Sequence, residues 1–312
     1  MYDIIIIGAG PGGLTAGIYA GRAGLDVLII DQGQSGGTAN TAPLVENYPG
    51  FDKIPGDELM KNVSQQAGLY CDIEELTIVQ EIVKSSDNSY EVVTHKGSFA
   101  SKYVILATGC EHRTLDVPGV AEFTGRGVSY CAVCDGNFFV DREVIIVGGG
   151  NSAATEALYL NRIGVKCSIV HRRDRLRCDV KLQEDLEKNN VPIYWDSELK
   201  QIRGEMMVEE AVIINKKTQK ETTLKVNGIF IAVGNVPNNK LALDYGIKCD
   251  EYGYIMTDEN MKTSDDGIYA VGDVTGGIKQ IVVAAGQGAI ASDSIQYLLI
   301  WLTWQTKSYK KK

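Results

Sequence analysis

The sequence is poor in the features that would commit it to a metal, a nucleic acid or a membrane. Its 312 residues include only three histidines, His95, His112 and His171, and these show no ligand spacing. Zinc takes about four N or S ligands, and no second Cys-x-x-Cys is present to complete a set. Positive charge is also short: 31 Lys and Arg stand against 40 Asp and Glu, a net charge of −9. Nucleic-acid binding is led by clustered basic residues, so no such partner is expected. Long hydrophobic runs are missing too. The C-terminal apolar stretch at residues 297–304 is too short for the ~20 residues that span a bilayer, and it reads as the end of a packed helix or a subunit contact. Lys307, Lys310, Lys311 and Lys312 read as a solvated terminus.

No basic leader precedes the strand-like opening, and the seven cysteines are an odd number, scattered apart from one pair. Neither fits a disulfide-stapled secreted protein. The expectation is a cytoplasmic protein, in which a close Cys pair is catalytic or metal-binding.

What the chain has in quantity is glycine, 34 residues in all, grouped where apolar runs end. That distribution suits tight backbone approaches and not disorder. Two segments repeat one order of strand, glycine-rich turn, helix and second strand. The first is residues 3–7, Gly8-Ala9-Gly10-Pro11-Gly12-Gly13, a helix to about Ala23 and a strand at 26–30. The second is residues 143–147, Gly148-Gly149-Gly150-Asn151-Ser152-Ala153, a helix to about Ile163 and a strand at 166–170. Two such units predict an α/β protein of two doubly wound, Rossmann-like dinucleotide-binding domains. A β-meander is expected over 72–106, turning at Ser86-Asp87-Asn88 and leading to a strand at 103–107 and Thr108-Gly109. A second meander runs through 208–214, 222–226 and 228–233, and a last strand at 267–271 ends in Gly272-Asp273. Pro118-Gly119 and residues 234–239 read as crossings. The first domain is then discontinuous, 1–116 with 245–312, and 117–244 is inserted in it.

The glycines at 8, 10, 12 and 13 let backbone touch a pyrophosphate, and the helix start supplies oriented N–H groups. Gly148, Gly150, Asn151, Ser152 and Ala153 repeat the device. The two copies differ in what ends the second strand. The first ends in Asp31, suited to a ribose 2′-OH. The second ends in His171-Arg172-Arg173, with Arg177 close behind, suited to a 2′-phosphate that a carboxylate would repel. Site one therefore fits the adenosine of FAD, and site two fits NADPH over NADH. Cys131-Ala132-Val133-Cys134-Asp135 has the spacing of an exchangeable disulfide. Asp135 is placed either to shuttle a proton or to cap a turn. Asp273, after Gly272, suits flavin ribityl hydroxyls, and a helix starting at about Gln280 and Ile281 would aim its positive end at a flavin. Cys71, Cys110, Cys167, Cys178 and Cys249 have no partner by spacing and read as buried or incidental thiols; Cys110, just after Thr108-Gly109, is not assigned to a site.

These motifs resemble those of the low-molecular-weight thioredoxin reductases, a family of FAD-containing pyridine nucleotide-disulfide oxidoreductases. The resemblance runs from Gly8 to Gly286. It takes in Val45-Glu46-Asn47-Tyr48-Pro49-Gly50, Ala107-Thr108-Gly109, Cys131-Ala132-Val133-Cys134-Asp135-Gly136, His171-Arg172-Arg173-Asp174 and Ala270-Val271-Gly272-Asp273-Val274. It implies a homodimer that passes electrons from NADPH through FAD to the Cys131–Cys134 disulfide and on to thioredoxin or a thioredoxin- or glutaredoxin-like protein. It implies a domain rotation between two half-reactions, with Cys134 facing the flavin and Cys131 exchanging with the partner. It also places Gly37, Asn47, Thr108 and Gly109 with the FAD. Gly36-Gly37-Thr38-Ala39 stands where many members carry Gly-Gly-Gln-Leu, and residues 297–312 depart from the usual ending. A dithiol oxidase or a reductase fed by ferredoxin or deazaflavin would have little use for the arginines at 172, 173 and 177. A flavin-binding regulator or zinc-binding interaction protein would not be bleached by NADPH.

Overall fold

Four consecutive isoleucines, Ile4 to Ile7, are all buried, which a strand permits only where both faces of its sheet are covered. The computed structural model describes residues 1–42 and 44–309, the last of these from 301 by backbone alone. In it, strand Tyr2–Ile7 lies between Val27–Ile30 and Gly97–Leu106, parallel to both, in a seven-stranded sheet. Ile4 and Ile6 join a core with Leu14, Ile29, Ile105 and Ile295. Ile5 and Ile7 join another with Leu28, Val104, Ala242 and Ile247. Helices Pro11–Arg22 and Ile281–Tyr309 supply Leu14 and Ile295 to the first core. They meet backbone to backbone, since a Cβ on Gly288 would lie 2.2 Å from the Gly12 carbonyl oxygen.

The register of this sheet builds a site. Ile7 pairs with Ile30 and with Leu106, and Leu106 pairs with Ala270 of strand Ile268–Ala270. Four parallel strands therefore end level. Gly8, Asp31, Ala107 and Val271 emerge together at the carboxyl end, where doubly wound sheets bind ligands. Strands Val79–Lys84 and Tyr90–Thr94 add an antiparallel meander to the early part of Gly97–Leu106. Asp72–Glu74, expected in that meander, instead pairs parallel with Val27–Ile30.

These elements make one compact unit, Met1–Glu111 with Val236–Lys312; the other is His112–Asn235. The second unit has a five-stranded parallel sheet in the order Ile193–Tyr194, Lys166–Val170, Glu143–Gly148, Gly228–Ala232 and Val128–Ser129. An antiparallel sheet of Ser197–Arg203, Glu210–Asn215 and Glu221–Lys225 accompanies it. Both units thus carry the doubly wound α/β pattern with an added meander. The divisions fall earlier than 116/117 and 244/245. Helix Lys240–Tyr245 packs Leu241, Ala242 and Tyr245 into the first unit's core, and Leu115 and Val117 pack in the second's. Helices Gly56–Ala67 and Val180–Lys188 and strand Ser197–Arg203 carry no motif that marked them in advance. Among the described residues no helix is long and apolar enough to cross a membrane. The Lys307, Lys310, Lys311 and Lys312 tail and the end of the 297–304 stretch lie outside the described side chains.

One carboxylate ties the first unit's meander to its last strand. Asp265 accepts hydrogen bonds from the Tyr90 hydroxyl, from the Tyr245 hydroxyl at 3.0 Å and from Gly267 N–H at 2.9 Å, and it pairs with Lys84 at 2.9 Å. Burial pushes its pKa up, but these partners outweigh burial and hold the carboxyl below its ordinary value. A carboxyl depressed on folding stabilises the fold above its unfolded pKa of ~3.9 and loses that contribution as pH falls through the folded value. Asp265→Asn is expected to cost roughly 1–3 kcal/mol in urea unfolding at neutral pH. The cost is expected to shrink as the pH drops below ~4, and an equal cost at neutral and strongly acid pH would contradict this reading.

Candidate functional site

Two of the first loop's glycines are required by packing. Gly8 has φ +110°, and a Cβ there would lie 2.2 Å from the Ala107 oxygen; a Cβ on Gly13 would lie 1.9 Å from the Gly8 oxygen. Gly10 differs, because a Cβ on it would meet nothing within 4 Å. It is the N-cap of Pro11–Arg22, and no side chain caps that helix. The unpaired amides of the first turn therefore open onto free space that a phosphate can fill. Gly12 sits 3.1 Å from the Ala284 oxygen by the same measure, and Gly37 lies 3.3 Å from the Gly10 Cα, so the turn Gly37–Thr41 approaches the loop. Asp31, expected at a ribose, is held by the loop backbone. Its Oδ2 accepts from Ala9 N–H at 2.6 Å and its Oδ1 from Gly33 N–H at 2.7 Å. A carboxylate has about four acceptor positions, so capacity remains for a ribose hydroxyl.

Around the same sheet end, the Thr108 hydroxyl donates to the Asn238 oxygen at 2.6 Å, and Asn238 Nδ2 returns a bond to the Thr108 oxygen at 3.0 Å. Gly109 follows with φ +69° and Gly272 has φ +76°. Gly272 N–H donates to Gln287 Oε1 at 2.7 Å. Asn47 Nδ2 donates to Gln280 Oε1 at 3.0 Å, just before Ile281 begins the last helix. Asn238 and Gln287 escaped the sequence reading because only the folded chain brings them here. Cys110 donates to the Asp273 backbone oxygen at 3.0 Å, and burial pushes its thiol up to about 12. It is a packed thiol, not a reactive one.

In the second unit Gly148 would put a Cβ 2.5 Å from the Ala232 oxygen, whereas Gly150, the N-cap of helix Asn151–Arg162, again opens on free space and has no side-chain cap. Asn151 exchanges two 2.9 Å bonds with Asp179, while Ala153 is buried and Ser152 exposed. His171 departs from the expected ligand position. It is 4% exposed, with Nδ1 2.7 Å from the Gly148 oxygen and Nε2 2.9 Å from the Arg175 oxygen. Both ring nitrogens are engaged by backbone, so His171 braces the loop from behind. Arg172, Arg173 and Arg177 are exposed, and Arg177 N–H donates to the Gly149 oxygen at 2.8 Å. Arg175 adds a fourth exposed guanidinium.

The cysteine pair follows edge strand Val128–Ser129. Ser129 pairs with Phe230, which pairs with Ile146, so the pair and the glycine loop share the carboxyl end of one sheet. Cys131 and Cys134 form a disulfide with Cα atoms 5.3 Å apart. Ser129 was not singled out in the sequence, yet its hydroxyl donates to Asp135 Oδ2 at 2.6 Å and accepts from Cys131 N–H at 3.1 Å. Asp135 caps neither the helix Ala132–Asp135 nor the turn Gly136–Phe139. Burial pushes its pKa up, the Ser129 bond pulls it partly back, and the net value stays above the ordinary range. Burial also raises Glu156, on helix Asn151–Arg162, to about 7, with its Oε2 unbonded. No group of His, Cys, Asp and Glu among the described residues could hold a metal ion.

The sequence pattern of the pyridine nucleotide-disulphide oxidoreductases matches residues 2–288. The thioredoxin reductase of Listeria monocytogenes is 44% identical over 305 residues, covering 95% of this chain and 93% of that protein. That of Bacillus subtilis is 40% identical over 321 residues, covering 99% and 98%. The solved thioredoxin reductase of Streptococcus pyogenes superimposes with a TM-score of 0.90 at 43% identity, covering 96% of this chain and 98% of that one.

Removing the hydroxyl that holds Asp135 tests the local electrostatics. Ser129→Ala is expected to raise the Asp135 pKa further, read as the pH midpoint of its carboxyl-carbon NMR signal in the oxidised protein. A midpoint that stays put or moves down would show that Ser129 does not set it.

Proposed function

The chain belongs to the pyridine nucleotide-disulphide oxidoreductase family, and on that footing we propose that it is an NADPH-dependent thioredoxin reductase, the activity its relatives are named for. The observation that carries the reading is a closed Cys131–Cys134 disulfide at the same sheet end as a dinucleotide loop with four exposed arginines. The first unit's glycine loop, with Gly8, Gly10, Gly12, Gly13, Asp31, Gly37, Asn47, Thr108, Gly109, Gly272, Asp273, Gln280 and Ile281, is assigned to FAD. Its cradle fits the group, because Gly10 leaves uncapped helix amides facing open space. NADPH is assigned to Gly148, Gly150, Asn151, Ser152, Ala153, Arg172, Arg173 and Arg177, where Gly150 offers the same opening, with His171 as the brace.

When bound, NADPH supplies a hydride and FAD relays its two electrons to the disulfide. The chain's own residues then do the sulfur chemistry. The Cys131–Cys134 bond opens by taking up two electrons, leaving two sulfurs that need one proton between thiolate and thiol and two in the full dithiol. Asp135, whose pKa burial raises above the ordinary carboxylate range, ends the helix that carries Cys134 and is placed to pass such a proton. One thiolate attacks the disulfide of thioredoxin or a glutaredoxin-like protein, and the second sulfur expels the reduced partner as the bond re-forms. Cys131 is assigned the attack and Cys134 the flavin side. Val133 and Phe138, 48% and 42% exposed beside the pair, offer an apolar rim for a protein substrate. Exposed Tyr297 and Leu298 on the last helix support a homodimer, and a reducing cytoplasm suits an enzyme that spends NADPH to open disulfides.

Replacing both Arg172 and Arg173 by Ala is expected to raise the NADPH KM tenfold or more, since each charge-assisted contact is worth roughly 1.5–3 kcal/mol. The NADH KM is expected to change little, and equal losses for the two cofactors would defeat the 2′-phosphate assignment. Cys131→Ser and Cys134→Ser are each expected to abolish thioredoxin reduction while NADPH still bleaches the yellow flavin under anaerobic conditions. Thioredoxin turnover that survives either change would overturn the proposed function.

A further inference from the structure

The hairpin turn at residues 215–220 reaches the arginine loop through the turn before strand Ser197–Arg203. Lys216 N–H donates to the Asp196 oxygen at 2.7 Å, and Asn215 Nδ2 to the Trp195 oxygen at 3.2 Å. That docking places the Lys217 ammonium 2.9 Å from the Asp196 carboxylate and 3.7 Å from that of Asp174. Both acids adjoin the arginine loop through the backbone. Asp174 lies between Arg173 and Arg175 in the chain, and Asp196 N–H donates to the Arg173 oxygen at 3.1 Å. Among the described residues, the salt bridges of these two acids go to Lys217 and not to an arginine.

We infer that Lys217 sets the NADPH preference at one remove, by occupying the carboxylates of Asp174 and Asp196 and so leaving the arginines at 172, 173, 175 and 177 uncommitted. The inference rests on the NADPH assignment proposed above. A carboxylate and a phosphate present the same fork to a guanidinium. An unoccupied Asp174 or Asp196 would therefore compete for the arginines and would also repel the incoming phosphate. NADH has no 2′-phosphate, so neither effect reaches it. Asp196 is the stronger competitor, because its side chain is 19% exposed against 71% for Asp174 and solvent screens it less. Lys217 touches no cofactor in this account; it is a positioning residue for charge.

Lys217→Met keeps most of the aliphatic stem and removes the charge. In the FAD-loaded enzyme it is expected to weaken adenosine 2′,5′-bisphosphate in calorimetric titration, and to raise the NADPH KM, by roughly two- to tenfold. The NADH KM and kcat are expected to stay at wild-type values. Adding Asp174→Asn and Asp196→Asn to Lys217→Met is expected to restore the bisphosphate affinity, and Lys217→Arg to retain it. A role confined to holding the hairpin would not be rescued by deleting the acids. Unchanged bisphosphate affinity, an equal shift for NADH, or no rescue would each overturn the inference. Arg172→Ala with Arg173→Ala serves as the control. If that pair fails to separate NADPH from NADH, the parent assignment falls; if it separates them while Lys217→Met has no effect, only the role of Lys217 falls.

Discussion

The sites depend on how closely one stretch of backbone can approach another at the carboxyl ends of the sheets. Gly13 against the Gly8 oxygen and Gly148 against the Ala232 oxygen leave 1.9 and 2.5 Å for an imagined Cβ, so only glycine can stand there. Gly13 thereby brings the first helix against the strand end that feeds it, and Gly148, whose Cβ would also lie 2.8 Å from that of Ala153, does the same for the second. Gly10 and Gly150 then lie at helix starts with space before them, and the partial positive charge of each helix terminus faces that space. The same economy explains the consecutive isoleucines. Both faces of that sheet are covered, and its parallel register ends the strands level, which gathers Gly8, Asp31, Ala107 and Val271.

Chemical selectivity among the cysteines follows from burial. The thiolate is the reactive form, and burial raises Cys71 and Cys167 to about 11 and Cys110 to about 12, with Cys178 and Cys249 also raised. These thiols stay protonated near neutral pH. Cys131 and Cys134 are instead joined to each other beside a half-buried carboxyl that accepts a hydrogen bond from the Ser129 hydroxyl. Of the seven cysteines, this pair alone is joined in a disulfide, and the proposed redox chemistry is assigned to it.

Much of this was legible in the sequence, for a definite reason. Strand, glycine turn and helix are consecutive in the chain, so both loops, the Asp31 terminus and the Cys-x-x-Cys pair are local patterns. What escaped depends on residues far apart in sequence. Asn238 meets Thr108, Gln287 meets Gly272, and Lys217 meets Asp174 only after the sheets form. Ser129 lies six positions before Asp135 but has no pattern of its own. His171 misled for the opposite reason. Its place beside Arg172 and Arg173 suggests a ligand, yet the strand turns its ring inward onto two carbonyl oxygens. Helix Lys240–Tyr245 shifts the division between units, because its apolar side chains face the first unit's core and no motif records which core a short helix joins.

The two nucleotide loops are built alike and diverge in charge, and the divergence has to be maintained within an acidic protein. Forty acids against 31 bases mean that a patch of guanidinium groups is surrounded by candidates to neutralise it. At the first site this is no difficulty. Asp31 is assigned to that site, and the amides of Ala9 and Gly33 hold it at the loop. At the second site, on the proposed assignment of a 2′-phosphate to the arginines, a nearby carboxylate would compete with it for the same fork-shaped donors. A basic loop is therefore insufficient by itself; its acidic neighbours must be engaged elsewhere. Asn151 exchanges bonds with Asp179, and Lys217 takes Asp174 and Asp196. On the proposed NADPH assignment, selectivity for a doubly charged group rests on where the acids are tied as much as on where the arginines stand.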